Sequence, residues 1–229
     1  MSVNRAAELG PQKFDWWLDW RGKTVAVIAC GPSARKADVD LLRGKMPVLA
    51  IKEAAAQLAP WCDAVYCCEA HWWRYQRGLP KFSGLKLAWA QVPEYPDVRL
   101  IEIKVKAKHI TNEPAHVDEL LLDAPGVIGA GGHSGFQAFN LALQFGAARV
   151  LLVGFDCHAN GNVHFYGRNN WAQARNPCES VFPRWAGSLN RAADICGALG
   201  IEVVNASATS AISAFRKAGV AQTIEAWGL

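Results

Sequence analysis

Residues Thr24–Ser33 read TVAVIACGPS, and the interpretation of this stretch decides the fold. Thr24–Ala29 is a short apolar, β-branched run, the composition of a strand covered on both faces. It leads straight into Gly31-Pro32-Ser33. Gly31 can bring the backbone close to a ligand, Pro32 fixes φ and stiffens the turn, and Ser33 is placed to cap a helix beginning near Ala34. A strand, a glycine turn and a helix start gather free N–H groups and a positive dipole end at one point, which favours phosphate. An ordinary strand-to-helix turn has the same letters, so the surroundings must decide.

Moving outward, strand and helix patterns alternate. Ala34–Arg43 can dock a short helix through Val39, Leu41 and Leu42. Pro47–Ile51 is a second apolar strand, followed by the helical Glu53–Leu58. Asp63–Cys67 is a third strand, leading to Glu69, His71 and a helix carrying Trp72 and Trp73. Leu85–Trp89 and Arg99–Val105 are shorter strands on either side of the turn-rich Gln91–Asp97. Between His109 and Pro125 the pattern is weak, loop with some helix. Ala130–Gly135 (AGGHSG) is a turn, and from Gly135 the spacing of Ala138, Leu141, Ala142 and Phe145 predicts a helix ended by Gly146. Arg149–Phe155 (RVLLVGF) is the strongest strand and closes on Asp156. The polar stretch Asp156–Pro177 is too long for a routine connection and is a candidate functional loop. Phe182, Trp185, Leu189, Ala192, Cys196 and Leu199 share one face of a long helix. Ile201–Val204 is a last strand, and Ala211–Phe215 begins a closing helical region. The alternation predicts an α/β, Rossmann-like fold, a mostly parallel sheet with helices on both faces. No linker divides the chain, so residues 1–229 are expected to form one domain.

Composition narrows the classes. Half of the 229 residues are hydrophobic, so a sizeable core can form. No apolar run approaches the roughly 20 residues of a membrane span, and MSVNRAAELGPQKFDWW lacks the apolar core of a signal peptide. Seven scattered cysteines, without a paired C-x-x-C, suit buried or free thiols in a reducing cytoplasm. The net charge of +4 is compatible with an anionic ligand and does not by itself imply nucleic acid. Ten tryptophans, among them Trp16, Trp17, Trp20, Trp72 and Trp73, suit core or subunit contacts in a homo-oligomer, with base stacking as the alternative.

In such a sheet, ligands bind beyond the carboxyl ends of the strands. The residues there are Gly31-Pro32-Ser33, Lys52-Glu53, Cys68-Glu69 and Asp156-Cys157-His158. The Gly131–Gly135 loop opens a helix and offers a second anion-binding turn. A basic residue, two glycine turns and two histidines suit a phosphate-bearing ligand. There is no G-x-G-x-x-G, no G-x-x-x-x-G-K-[ST] and no G-x-S-x-G elbow. Glu69 and His71 sit two apart, a poor spacing for a metal pair.

Val27–Ser33 resembles the G-x-G-P-S signature of bacterial sialyltransferases of glycosyltransferase family 42, a signature shared with archaeal 6-hydroxymethylpterin pyrophosphokinases. His133-Ser134-Gly135, a helix ending in Gly146 and Val150–Asp156 are similar to the T-S-G…G…I-x-L-x-G-x-D block of that superfamily. Small proteins of this type with a Trp-Trp pair after the third strand also look like ones found in phage genomes. The resemblance implies that Gly31, Pro32 and Ser33 hold a nucleotide donor, with Ser134 and Gly135 lining the same pocket. It also places His158 and His164 where the sialyltransferases have two tyrosines on the donor phosphate; histidine can hydrogen-bond the same phosphate. The chain departs from the pattern at Ala29 and Cys30, and at Pro183, near where the family's basic histidine falls.

Three functions follow. The first is a glycosyltransferase using a nucleotide-sugar donor. Lys52 and Glu69 join the nucleotide site, His158 and His164 stabilise charge on the leaving phosphate, and Asp156 or His133 activates the acceptor. The acceptor is left open between a saccharide and a modified nucleobase in DNA. The second is a pyrophosphokinase acting on a hydroxymethylated ring with Mg²⁺, for which Asp156 and Glu69 are the candidate ligands. The third is a non-catalytic nucleotide or nucleic-acid binding module. Nothing in the spacing demands a metal or other cofactor.

Overall fold

The computed structural model describes residues 14–105, 117–159 and 161–229. The N-terminal stretch, residues 109–116 of the weak region beginning at His109 and Asn160 in the turn between the two loop histidines lie outside the described residues.

The elements run β1 (Thr24–Ile28), α1 (Lys36–Asp40), β2 (Val48–Ile51), a π-helical turn (Ala54–Leu58), β3 (Ala64–Cys67), α2 (Ala70–Tyr75), β4 (Leu85–Ala88) and β5 (Val98–Leu100). There follow β6 (Glu102–Ile103), β7 (Val127–Ile128), α3 (Ser134–Gln144), β8 (Arg149–Val153), a 3₁₀ turn (Glu179–Val181), α4 (Phe182–Ala198), β9 (Glu202–Asn205), β10 (Arg216–Lys217) and α5 (Val220–Ala226). Eight strands form one sheet in the order β10-β9-β8-β1-β2-β3-β4-β5, and every pairing in it is parallel.

Side chains alternate across the sheet and give it two cores. Val25, Val27, Leu49, Tyr66 and Leu152 meet α3 and α4 on one face. Ala26, Ile28, Val48, Val65 and Leu151 meet α1, α2, the π-helical turn and α5 on the other. Burial on both faces explains why β1 and β8 are apolar runs without alternation. Helix α3 is buried along its whole length. Its amides at Gln137, Asn140 and Gln144 are satisfied by Tyr66 and by the backbone of residues 121–130.

Several expectations are corrected. The run Arg99–Val105 is two strands: after β5 the chain leaves the main sheet, and β6 pairs with β7 in a separate two-stranded parallel sheet. Ala211–Phe215 does not begin a helix. Asn190 Oδ1 accepts from the N–H groups of Ser213 and Ala214, Ile212 and Phe215 enter the core, and the chain continues into β10. The adjacent pair Trp72 and Trp73 offers no stacking face. Trp72 and Trp73 are fully buried, with their indoles donating to Glu53 Oε1 and the Cys67 carbonyl. Trp17 and Trp20 pack edge-on against Phe145.

Among the described residues, no helix is long and apolar enough to cross a membrane.

Candidate functional site

The sheet order reverses at β1. From there the chain builds outward through β2 to β5, then returns to add β8, β9 and β10 on the other side. The carboxyl ends of β1 and β8 therefore diverge into different loops, which opens a crevice at a topological switch point. The two ends stay joined just past the strands, where Ala29 N–H donates to Val153 O (2.8 Å) and Gly31 N–H to Gly154 O (3.0 Å). A cavity of about 110 Å³ opens there. Its walls include Gly31 and Pro32 after β1, Lys52 after β2, His133, Ser134 and Gly135 at the start of α3, and Asp156, His158 and His164 after β8.

Nine of the eleven residues singled out from the sequence line this cavity. Ser33 and Glu69 stand behind it. Ser33 does not cap α1: that helix starts at Lys36, with Arg35 at its N-cap and no side-chain cap. Instead Ser33 Oγ donates to Asp156 Oδ2 (2.8 Å), its N–H reaches the same oxygen (3.3 Å), and Ser207 Oγ lies 2.6 Å from Ser33 Oγ. Gly31 is glycine for a related reason. A Cβ there would stand 2.0 Å from Asp156 Oδ2 and 2.4 Å from Gly154 O. The close approach is to the protein's own carboxylate and backbone. The Gly31–Ser33 turn thus grips Asp156, which is 2% exposed. Burial raises its pKa above the usual aspartate value, while the hydrogen bonds from Ser33 and the nearby His158 pull it back.

Lys52 closes the floor. Its Nζ pairs with Glu69 Oε2 at 2.9 Å. Burial works against its charge, but Cys67, Cys68 and Glu69 outweigh that and hold its pKa above the ordinary lysine value. Its φ of 47° lies in the left-handed region, as does the 53° of Cys157 beside Asp156. Two non-glycine residues held there cost roughly 1–2 kcal/mol each, and both border the cavity. Glu69 itself lines a neighbouring cleft with His71, Gln173 and Arg175.

On the opposite wall, α3 begins after Gly131 and Gly132, both with positive φ. A Cβ on Gly131 would lie 2.1 Å from the Phe136 ring. His133 is the N-cap, its Nδ1 accepting from Gly135 N–H (3.1 Å), and its ring stacks on Trp185 at 4.8 Å. Burial pushes its pKa down to about 3 against the pull of Asp118. Ser134 Oγ donates to Cys68 Sγ (3.1 Å).

His158 Nε2 meets Thr209 Oγ1 at 3.3 Å. His164 stacks on Tyr166 at 4.9 Å, and burial first, then Lys52, lowers its pKa to about 4. The loop that carries it is fixed to the β1 turn by Phe165 N–H donating to the Cys30 carbonyl (3.0 Å). Burial pushes the Cys30 and Cys157 thiols up to about 12, so they stand as neutral thiols and not as nucleophiles at neutral pH.

A Mg²⁺ site does not fit these residues. Glu69 is engaged by Lys52 and Asp156 by Ser33, and among the described residues no group of three or more His, Cys, Asp or Glu side chains could hold a metal ion.

Sequence reasoning missed Ser207 and Trp185 as parts of the site. Trp185 stands on the apolar stripe of α4, which marked it as core. Ser207 follows β9 and could have been noticed as another strand-end residue.

No protein-family model matches the sequence, and no curated protein matches it. Among solved structures, the fold is similar to that of the sialyltransferase CstII from Campylobacter jejuni, solved in complex with a substrate analogue, cytidine-5'-monophosphate. The TM-score is 0.52 at 12% identity, over 86% of this chain and 85% of that one. The likeness is one of fold, an α/β, Rossmann-like architecture with a mostly parallel sheet.

Proposed function

We propose that this protein is a transferase that moves a sugar from a nucleotide-activated donor, with residues 1–229 acting as one domain. The observation that supports this most is the convergence of two helix-proximal glycine turns, a lysine, a buried carboxylate and two loop histidines on one cavity at the switch point. The CMP-bound neighbour of the same fold adds weight to a nucleotide donor.

In this reading the donor lies between Gly31-Pro32 and Ser134-Gly135. Lys52, kept charged by Glu69, faces its phosphate. Asp156, a stronger base than an ordinary aspartate because burial raises its pKa, takes the proton of an acceptor hydroxyl. The hydroxyl oxygen bonds to the sugar carbon as the bond from that carbon to the phosphate oxygen breaks. The electron pair leaves with the nucleotide, and N–H groups of His158 and His164 meet the charge that develops there. His164 acts as a neutral donor, because its ring is uncharged well below neutral pH.

Calorimetry with CMP, CDP, UDP, GDP and ATP tests the reading. A pyrimidine nucleotide is expected to bind in EDTA, since side chains and not a metal meet the phosphate. Binding restricted to ATP with Mg²⁺ would overturn it.

A further inference from the structure

The proton on the His133 ring has one place to be. A backbone amide can only donate, so the 3.1 Å contact from Gly135 N–H requires a bare Nδ1. The neutral ring then carries its proton on Nε2. That nitrogen is buried and has no hydrogen-bond partner among the described residues, although the ring forms part of the cavity wall. A buried donor without a partner is costly, and native structures seldom leave one unused.

The ring is held from both sides. Trp185 lies against one face, and a Cβ on Gly135 would come within 2.7 Å of Nδ1 and Cε1, so only glycine lets the imidazole fold over the start of the helix. Among the described residues, the charges acting on the ring are those of Asp118, Arg184 and Lys52. Asp118 is paired to Arg184 at 2.8 Å. The positive end of the 11-residue α3 adds to the same side, and the sum favours an oxyanion.

We propose that His133 is a permanent hydrogen-bond donor, locked in its Nε2–H form by the helix it caps, and that it holds a phosphate or carboxylate oxygen of the bound molecule. It is therefore not the base. The inference rests on the transferase reading only for the identity of the cavity's occupant.

The test is a long-range ¹H–¹⁵N spectrum of the full chain labelled at histidine. A bare Nδ1 and a protonated Nε2 on His133, unchanged from pH 5 to 8, are expected. A proton on Nδ1, or titration in that range, overturns the proposal. Inorganic phosphate, acetate and CMP are then added in turn. Movement of the Nε2–H signal with phosphate assigns a phosphate oxygen, and movement with acetate alone assigns a carboxylate. Silence with all three overturns the proposal, and if CMP still raises the melting temperature the transferase reading survives it. Phosphate moving His133 while no nucleotide binds has the opposite meaning. His133→Asn keeps an oxygen to cap Gly135 N–H and removes the N–H at the Nε2 position, since the shorter amide nitrogen falls where ring Cδ2 stood. Its affinity for the effective anion should fall by about 10- to 100-fold, the range for a hydrogen bond to a charged group, with helix content unchanged by circular dichroism. Unaltered affinity would also overturn the proposal.

Discussion

The turn after β1 and the turn before α3 are written in nearly the same letters, glycine beside serine at a helix start, and they are built for different ends. The first spends its polar groups inside the protein. Gly31 closes on Gly154 O, Ser33 closes on Asp156 and Ser207, and the helix beyond has five residues and no side-chain cap. The second opens an 11-residue helix, capped by a histidine whose outer nitrogen is left over. A glycine-serine turn is thus ambiguous on its own. What separates a clamp from a ligand cradle is whether a buried carboxylate stands in front of it.

Gly31→Val presses hardest on that contrast. Its branched side chain would strike Asp156 and the Gly154 carbonyl, neither of which can retreat, so a loss above about 3 kcal/mol is expected. Thermal melts would show little folded protein. A variant melting within a few degrees of the parent would mean that the first turn is not a clamp.

Next in size are the loop histidines. His158→Ala and His164→Ala should each lower turnover by roughly 10²–10³-fold while leaving donor affinity nearly unchanged. Tyrosine at either place should restore part of the rate. Single-turnover kinetics would expose the opposite result, near-normal rates, which would leave the loop as mere cover.

Acid should weaken the second turn, through His133, and the loop after β8, through His164. His133 and His164 have folded pKa values near 3 and 4, below the unfolded value of 6.5. The unfolded chain therefore binds more protons between those limits. The stability these rings contribute is complete above pH 6.5 and is lost as pH falls toward 4, on the order of a few kcal/mol. Asp156 has the reverse sign, since its pKa is raised on folding. Melting temperatures across this range should fall in the parent and flatten in His133→Asn and in His164→Asn.

The smallest effect is the most discriminating. Ser33→Ala should cost about 1–2 kcal/mol at neutral pH, less in acid where Asp156 is protonated, with nucleotide affinity almost unchanged. Affinity lost without stability, by paired calorimetry and melts, would return Ser33 to the ligand.

Much of the fold was legible because its signals are local. Thr24–Ile28 and Arg149–Val153 are short, β-branched, mainly apolar runs bounded by turns, and their length and flanks mark them as strands buried on both faces. The start of α3 was legible too, since the Ala130–Gly135 turn and the helical spacing that follows lie within one short stretch, whereas the capping role of His133 came only from the structure. The errors share a cause in distance. Ser33 looked like a cap because its true partner lies 123 residues away. The break at Ile101, whose N–H donates to the Ala88 carbonyl, depends on β7, and the irregular path before β10 depends on Asn190 of α4.

The switch point also fixes when the cavity can exist. Strands β2 to β5 each pair with the strand made just before, whereas β8 must come back to β1, matching Thr24 with Arg149. Contacts this far apart in sequence form slowly. Asp156 and the turn that grips it meet only once β8 is seated. In refolding experiments, nucleotide binding should therefore lag behind the return of secondary structure, and a chain truncated before β8 would keep its glycine turn and have nothing for it to close upon.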